Sequence, residues 1–196
     1  MALQRVVLAS QSPRRKQLLE WAEIPFDIIV RNTDESYPSD LPTEVIPIHI
    51  ARQKALAVKE CSEYKMYKAN ATIVAADTVV VLDNTIIGKP KDREDAIDIL
   101  SSLSGKKHLV ITGVVILHEG ENETAFADIT EVWFHPVTTS EIAYYVDKYR
   151  PFDKAGAYAI QEYIGVTGIK RINGDFYNVM GLPVSRVLQA LKKLEG

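Results

Sequence analysis

Short segments of this 196-residue chain carry side chains whose types and spacing suit phosphate chemistry. The first is Ser10-Gln11-Ser12-Pro13-Arg14-Arg15. Ser12 is a good N-cap and Pro13 suits a first helical position, so a helix is expected to start there. A helix N-terminus offers unpaired amides and partial positive charge, both of which favour phosphate. Hydroxyls and guanidinium groups at the same point strengthen that reading, because the arginine fork matches paired phosphate oxygens. A capped helix with solvated arginines has the same pattern, yet arginine at this end opposes the helix dipole, which argues for a functional reason.

The second segment is Asp77-Thr78, inside Ala75-Ala76-Asp77-Thr78-Val79-Val80. A carboxylate within an apolar run is costly to bury unless it is paired, hydrogen-bonded or bound to a metal. Asp77 suits holding Mg²⁺ or orienting water, and it equally suits the solvated face of a strand. Glu35 and Lys54 are weaker signals, since acidic loops and helix lysines are usually solvated. Gly88-Lys89-Pro90 holds a lysine between two residues that constrain the backbone, as a phosphate contact or as a surface turn. In Asp153-Lys154-Ala155-Gly156-Ala157-Tyr158-Ala159-Ile160-Gln161, small residues around Gly156 permit close approach of a backbone or ligand. The Gln161 amide both donates and accepts, as reading a base edge requires. Without further context that stretch reads as a strand with a packed glycine.

Other chemistries are excluded. There is no glycine-rich phosphate loop ending in Lys-Ser/Thr, no dinucleotide glycine fingerprint and no serine nucleophile elbow. His49, His108, His118 and His135 lack ligand spacing, and Cys61 is the only cysteine, so neither a disulfide nor a cysteine zinc cluster can form within the chain. Metal chemistry would rest on carboxylate oxygens and suit Mg²⁺ or Mn²⁺.

The elements that must position these groups are legible in outline. Val6 to Ala9 is a buried-strand run leading into the Ser12 cap, and Leu18, Leu19 and Ala22 give the following helix its apolar side. Phe26 to Val30 reads as a second strand and 32–42 as a loop. Thr43 is expected to cap a helix carrying Ile46, Ile50, Ala55 and Val58, with Pro47 near its start. Ile73 to Leu82 is a β-branched run that turns at Asp83-Asn84 into Thr85-Ile86-Ile87. Asp92 is expected to cap a helix that Gly105 ends, and Leu109–Leu117 with Ala125–Phe134 form a hairpin around the polar stretch from His118 to Thr124. Thr138 and Glu141 have capping-box spacing for a helix to about Tyr149, and Pro183 opens a last helix with Val187, Leu188 and Leu191 on one side. The fold class is therefore α/β, a mixed sheet with flanking helices, and no linker divides residues 1–196 into separate domains.

Hydrophobic residues make up 46% and charged residues 25%, ordinary values for a folded chain. A net charge of −3 gives no general attraction to nucleic acid or anionic membrane. The apolar run after Met1-Ala2-Leu3-Gln4-Arg5 is too short for a signal peptide or a membrane span, so a soluble cytoplasmic protein is expected.

Taken in order, LASQSPRRKQLL, TDES, ARQKA, AADTVV, IIGKP, LSGKKHLVITGV, DKAGAYAIQ and NVMGLP resemble the Maf family of nucleoside triphosphate pyrophosphatases, along nearly the whole chain. DKAGAYAIQ is similar to the branch acting on dTTP and UTP. The resemblance implies an elongated α/β fold of two lobes around a cleft, shared with inosine-triphosphate pyrophosphatases and often assembled as a homodimer. It implies Asp77 as the catalytic acidic residue beside a divalent metal. It also implies Glu35, Lys54 and Lys89 as further site residues, and Arg14, Thr78 and Gln161 as positions of substrate choice. On this basis Ser10, Arg14, Arg15, Lys54 and Lys89 are expected to hold the triphosphate, with Glu35 and Asp77 on Mg²⁺ or Mn²⁺. Two departures stand out: Glu162-Tyr163-Ile164-Gly165 where relatives more often place a glycine directly after the glutamine, and Ile50 where a leucine is more usual. Glu162 is expected near the base pocket. The rival expectation is a nucleotide-binding regulator of cell division with little turnover.

Overall fold

The computed structural model describes residues 4–67, 71–118 and 122–194. The strands are β1 (Val6–Leu8), β2 (Phe26–Ile28), β3 (Ile73–Leu82), β4 (Thr85–Ile87), β5 (Lys107–His118), β6 (Asn122–Phe134) and β7 (Ile169–Asn173). The helices are α1 (Pro13–Trp21), α2 (Ile46–Glu60), α3 (Ser62–Tyr67), α4 (Arg93–Leu103), α5 (Thr139–Tyr149), α6 (Tyr163–Gly168), α7 (Phe176–Met180) and α8 (Val184–Leu194). The strands form one seven-stranded sheet in the order β2-β1-β3-β5-β6-β7, with β4 paired to β3. The mixed sheet with flanking helices agrees with the sequence expectation. No helix among the described residues is long and apolar enough to cross a membrane.

The chain divides into two compact units. One comprises Met1–Asp77, Thr112–Asp128 and Gly181–Gly196, and the other Thr78–Ile111 and Ile129–Met180. In the first unit β1 runs parallel to both β2 and β3, with Val7 beside Ile73 and Leu8 beside Val74. Residues alternate faces along a strand, so Ile73, Ala75 and Asp77 share one side of β3. Ile73 and Ala75 pack there with Ala51, Ala55 and Val58 of α2. Gly113 of β5 lies directly under the start of α2, where an added Cβ would stand 2.2 Å from the Ile48 amide nitrogen. The Arg52 fork on Glu123, at 2.6 and 2.9 Å, ties the same helix to β6.

In the second unit Asp83 and Asn84, with φ of 49° and 63°, make the turn that pairs β3 antiparallel with β4. Asp92 caps α4 by accepting from the Asp95 amide. Thr138 and Glu141 form the expected capping box on α5. Leu100, Leu103, Phe134, Ile142 and Tyr145 are core residues here, and the Arg93 fork on Asp147 joins α4 to α5.

Several expectations need correction. Thr43 does not cap α2: the helix begins at Ile46 after a turn in which the Val45 and Ile46 amides both bond to the Pro42 carbonyl. Pro47 then occupies the first turn, where its missing N–H is no loss. The 153–161 stretch is not a strand. Gly156 and Ala157 have φ of 70° and 57°, inside a single 3-10 turn over Ala155–Ala157, and positive φ breaks a pleated ladder. β1 stops at Leu8 and β2 at Ile28, although Ala9 and Ile29 stay buried. Residues 1–3 and residues 119–121, within the stretch expected to turn the hairpin, lie outside the described residues.

Candidate active site

The first unit gathers most of the charged candidates. Ser12 caps α1, and its hydroxyl accepts from the Arg15 amide. Ser10 Oγ accepts from the Ser12 amide at 3.2 Å and from Arg15 Nη1 at 3.1 Å, which leaves its own proton as a donor for another group. Arg15 is buried, and its Nε donates to the Gly181 carbonyl at 2.8 Å. Burial pulls the Arg15 guanidinium below its ordinary pKa, with Asp77 and Glu35 acting against that and Arg14 adding to it. Asp77 and Glu35 are therefore close enough for their charges to be felt at Arg15. Arg14 is half-buried on the first turn of α1.

Asp77 and Thr78 are the two half-buried positions in a β3 strand that is otherwise buried from end to end. Facing α2, Asp77 meets Lys54, whose ammonium donates to Asp77 Oδ1 at 2.7 Å and stands 2.7 Å from Glu35 Oε1. The Lys54 and Asp77 side chains are 16% and 13% exposed, while Glu35 is 46% exposed on its loop. One ammonium thus gathers two carboxylates, one on a rigid strand and one on a loop. In a half-buried setting the removal of one partner leaves a poorly solvated charge, so the cluster is held by mutual need.

Thr78, Lys89 and Gln161 belong to the second unit. Lys89 and Gln161 are exposed and Thr78 is half-buried. Two loops there are fastened together by the Gly156 amide, which donates to the Gly88 carbonyl at 3.1 Å. Gly156 also lies on Val80: an added Cβ would stand 2.9 Å from Val80 Cγ2. Thr78 and Val80 share a face of β3. The backbone around Lys89, the 153–161 segment and β3 are thereby linked.

Some contributors escaped the sequence reading. The Gly181 carbonyl fixes Arg15 from 166 residues away, and GLP reads only as a turn. Lys154 is buried, and Tyr145, which no motif singled out, donates its hydroxyl to Glu162, the carboxylate already expected near the base pocket. A lysine inside a run of small residues was the one local hint.

The fold is shared with a solved structure. The Staphylococcus aureus Ham1 protein superposes with a TM-score of 0.50 over 98% of this chain and 100% of that one, at 15% identity, a likeness of fold alone. Residues 5–194 match the family described as Maf-like protein, and the chain belongs to the Maf family. It is 50% identical over 189 residues to a dTTP/UTP pyrophosphatase of Cytophaga hutchinsonii, covering 96% of this chain and 84% of that protein. It is 46% identical to a dTTP/UTP pyrophosphatase of Porphyromonas gingivalis, covering 96% of this chain and 93% of that one.

Proposed function

We propose that this chain is a cytoplasmic enzyme that hydrolyses dTTP and UTP, and modified pyrimidine triphosphates of similar shape, to the monophosphate and pyrophosphate. The observation that carries the reading is the Lys54 ammonium held between Asp77 and Glu35, with Arg15 close enough to feel both carboxylates. That this cluster occurs in a chain half-identical to a dTTP/UTP pyrophosphatase supports the same substrates here.

In this reading Ser10, Arg14, Arg15, Lys54 and Lys89 hold the triphosphate. The Asp77 carboxylate takes a proton from water as the water oxygen bonds to the α-phosphorus. The bond from the α-phosphorus to the bridging oxygen breaks, and that oxygen leaves with pyrophosphate. Cationic side chains neutralise the charge growing on the leaving group, and fixed charges do so without reorganisation. Asp77 then returns its proton to solvent. Thr78, Arg14 and Gln161 choose the nucleotide, with the Gln161 amide on the pyrimidine edge.

Glu35 and Asp77 fit a divalent cation, because their oxygens already converge on one positive centre and hard carboxylate oxygens suit Mg²⁺ or Mn²⁺. No group of three or more His, Cys, Asp or Glu side chains is placed for a metal among the described residues. A two-carboxylate site is nonetheless ordinary for Mg²⁺, which fills its other positions with substrate phosphates and water. When bound, such a cation supplies Lewis-acid neutralisation of phosphate charge.

The test is pyrophosphate release from a panel of canonical and modified triphosphates with Mg²⁺ or Mn²⁺, for wild type and Asp77→Asn. Turnover of dTTP or UTP that disappears in the variant supports the reaction and the base. Saturable binding without turnover would move the assignment to a nucleotide-binding regulator.

A further inference from the structure

Next to Gln161 lies a buried charge that the reaction above does not use. Lys154 is 8% exposed; its ammonium donates to Asp153 Oδ1 at 2.8 Å and lies 3.6 Å from Glu162 Oε1. Glu162 Oε2 accepts the hydroxyl of Tyr145 at 2.5 Å. Tyr145 is fully buried on α5, so this bond comes from a rigid element. The following residue is held by the same helix: Tyr163 stacks on Tyr149 and meets Tyr144 edge-on, with centroids 6.3 and 5.3 Å apart. Glu162 and Tyr163 therefore fasten one end of the 153–162 segment to α5, while the Gly156–Gly88 bond fastens its middle. Exposed Gln161 lies between buried Ile160 and tethered Glu162.

We infer that Glu162 is a positioning residue for nucleotide selection: shared by Tyr145 and Lys154, its carboxylate fixes the segment that presents Gln161 to the pyrimidine. The inference rests on the reading of Gln161 as the base contact. A side-chain amide can donate or accept, so a mobile one satisfies either base edge, whereas one held in place rejects the edge that leaves a group unpaired. Thymine and uracil share a carbonyl–NH–carbonyl edge, and cytosine replaces one carbonyl with an amino group. A fixed Gln161 separates them. The Glu162 charge matters because a buried ammonium needs compensation. Without it, among the described residues, Lys154 keeps only Asp153, whose side chain is 58% exposed, and the segment loses one of its two ties to α5.

The experiment is a double-mutant cycle read by calorimetry, with α,β-imido analogues of dTTP and dCTP as probes. Glu162→Ala should lower the preference for the dTTP analogue about tenfold, Gln161→Ala by a similar factor, and the double variant no further than either. In steady state Glu162→Ala should raise KM for dTTP more than it lowers kcat. Glu162→Gln, which keeps an oxygen for the Tyr145 hydroxyl but not the charge facing Lys154, should restore only part of the preference. If Glu162→Ala does not fold, Tyr145→Phe, which deletes a single hydroxyl, takes its place in the cycle. Additive losses, an unchanged preference in either single variant, or a wild type without preference would each overturn the inference. A wild type that prefers the dTTP analogue but does not hydrolyse dTTP would remove the hydrolase reading and leave the cycle decisive.

Discussion

The charged cluster of the first unit and the loops of the second that are proposed to read the base are built by opposite means. Asp77 sits on a long strand and Lys54 on a 15-residue helix, and their contact is shielded from solvent. Gln161 lies on a segment shaped by the positive-φ pair Gly156 and Ala157, tied by a backbone bond to the loop of Lys89 and by a side-chain network to α5. Proton transfer and charge neutralisation demand groups fixed within a fraction of an ångström, which regular elements supply best. Substrate choice can be retuned by changing loop side chains without disturbing the reacting groups.

The comparison can be broken most forcefully at Asp77. Asp77→Asn keeps an acceptor for Lys54 but no base, and turnover should fall about a thousandfold while the preference among bound nucleotides persists. If preference falls with turnover, chemistry and selection are not separable as described.

Acid provides the next largest effect, and it belongs to the second unit. His108 is buried against Phe134 and Tyr158, and burial pushes its pKa down to about 4 from an ordinary 6.5. Between those values the unfolded chain binds a proton that the folded chain does not, so stability rises with pH. The contribution is complete above pH 6.5 and falls as pH drops toward 4, by roughly 3 kcal/mol across the window. Urea unfolding at pH 7, 6 and 5 should show this slope, and His108→Asn should flatten it.

Gly156 is a smaller and more local probe. Gly156→Ala combines a φ of 70° with a Cβ 2.9 Å from Val80 Cγ2, and should cost about 1–3 kcal/mol. Hydrogen exchange should quicken over 153–162 and leave the α2 core of the first unit unchanged. Equal loosening in both units would erase the distinction drawn above. The mildest change is Gln161→Ala, expected to weaken dTTP selection about tenfold with kcat nearly kept, as the loss of one base-edge contact implies. Kinetics with dTTP and dCTP as competing substrates would register it.

Much of the fold could be read from local sequence. Ser12, Asp92 and the Thr138–Glu141 box were legible because caps act over three residues. Ile73–Leu82 and the Asp83-Asn84 turn were legible for the same reason. Thr43 misled because a capping residue is necessary but not sufficient, and the Pro42 turn delays the helix to Ile46. The small residues of 153–161 suit a strand as well as a turn, and contact with Val80 and Gly88 decides between them. The unit boundaries left no mark in composition, since three of the four passages between units fall inside β3, β5 and β6 and the fourth follows directly on α7 at Met180–Gly181, so no linker is needed.

The sequence alone determined the capped helices, the β-branched strands and the single carboxylate at Asp77, because these follow from backbone sterics and bonds spanning a few residues. Only the tertiary structure decided that Lys54 joins Asp77 to Glu35, that Arg15 hangs from the Gly181 carbonyl, and that Glu162 turns to Tyr145 and Lys154. The reason is electrostatic: a charge withdrawn from water must be met by opposite charge or hydrogen bonds, and only the folded chain brings those partners together from distant positions.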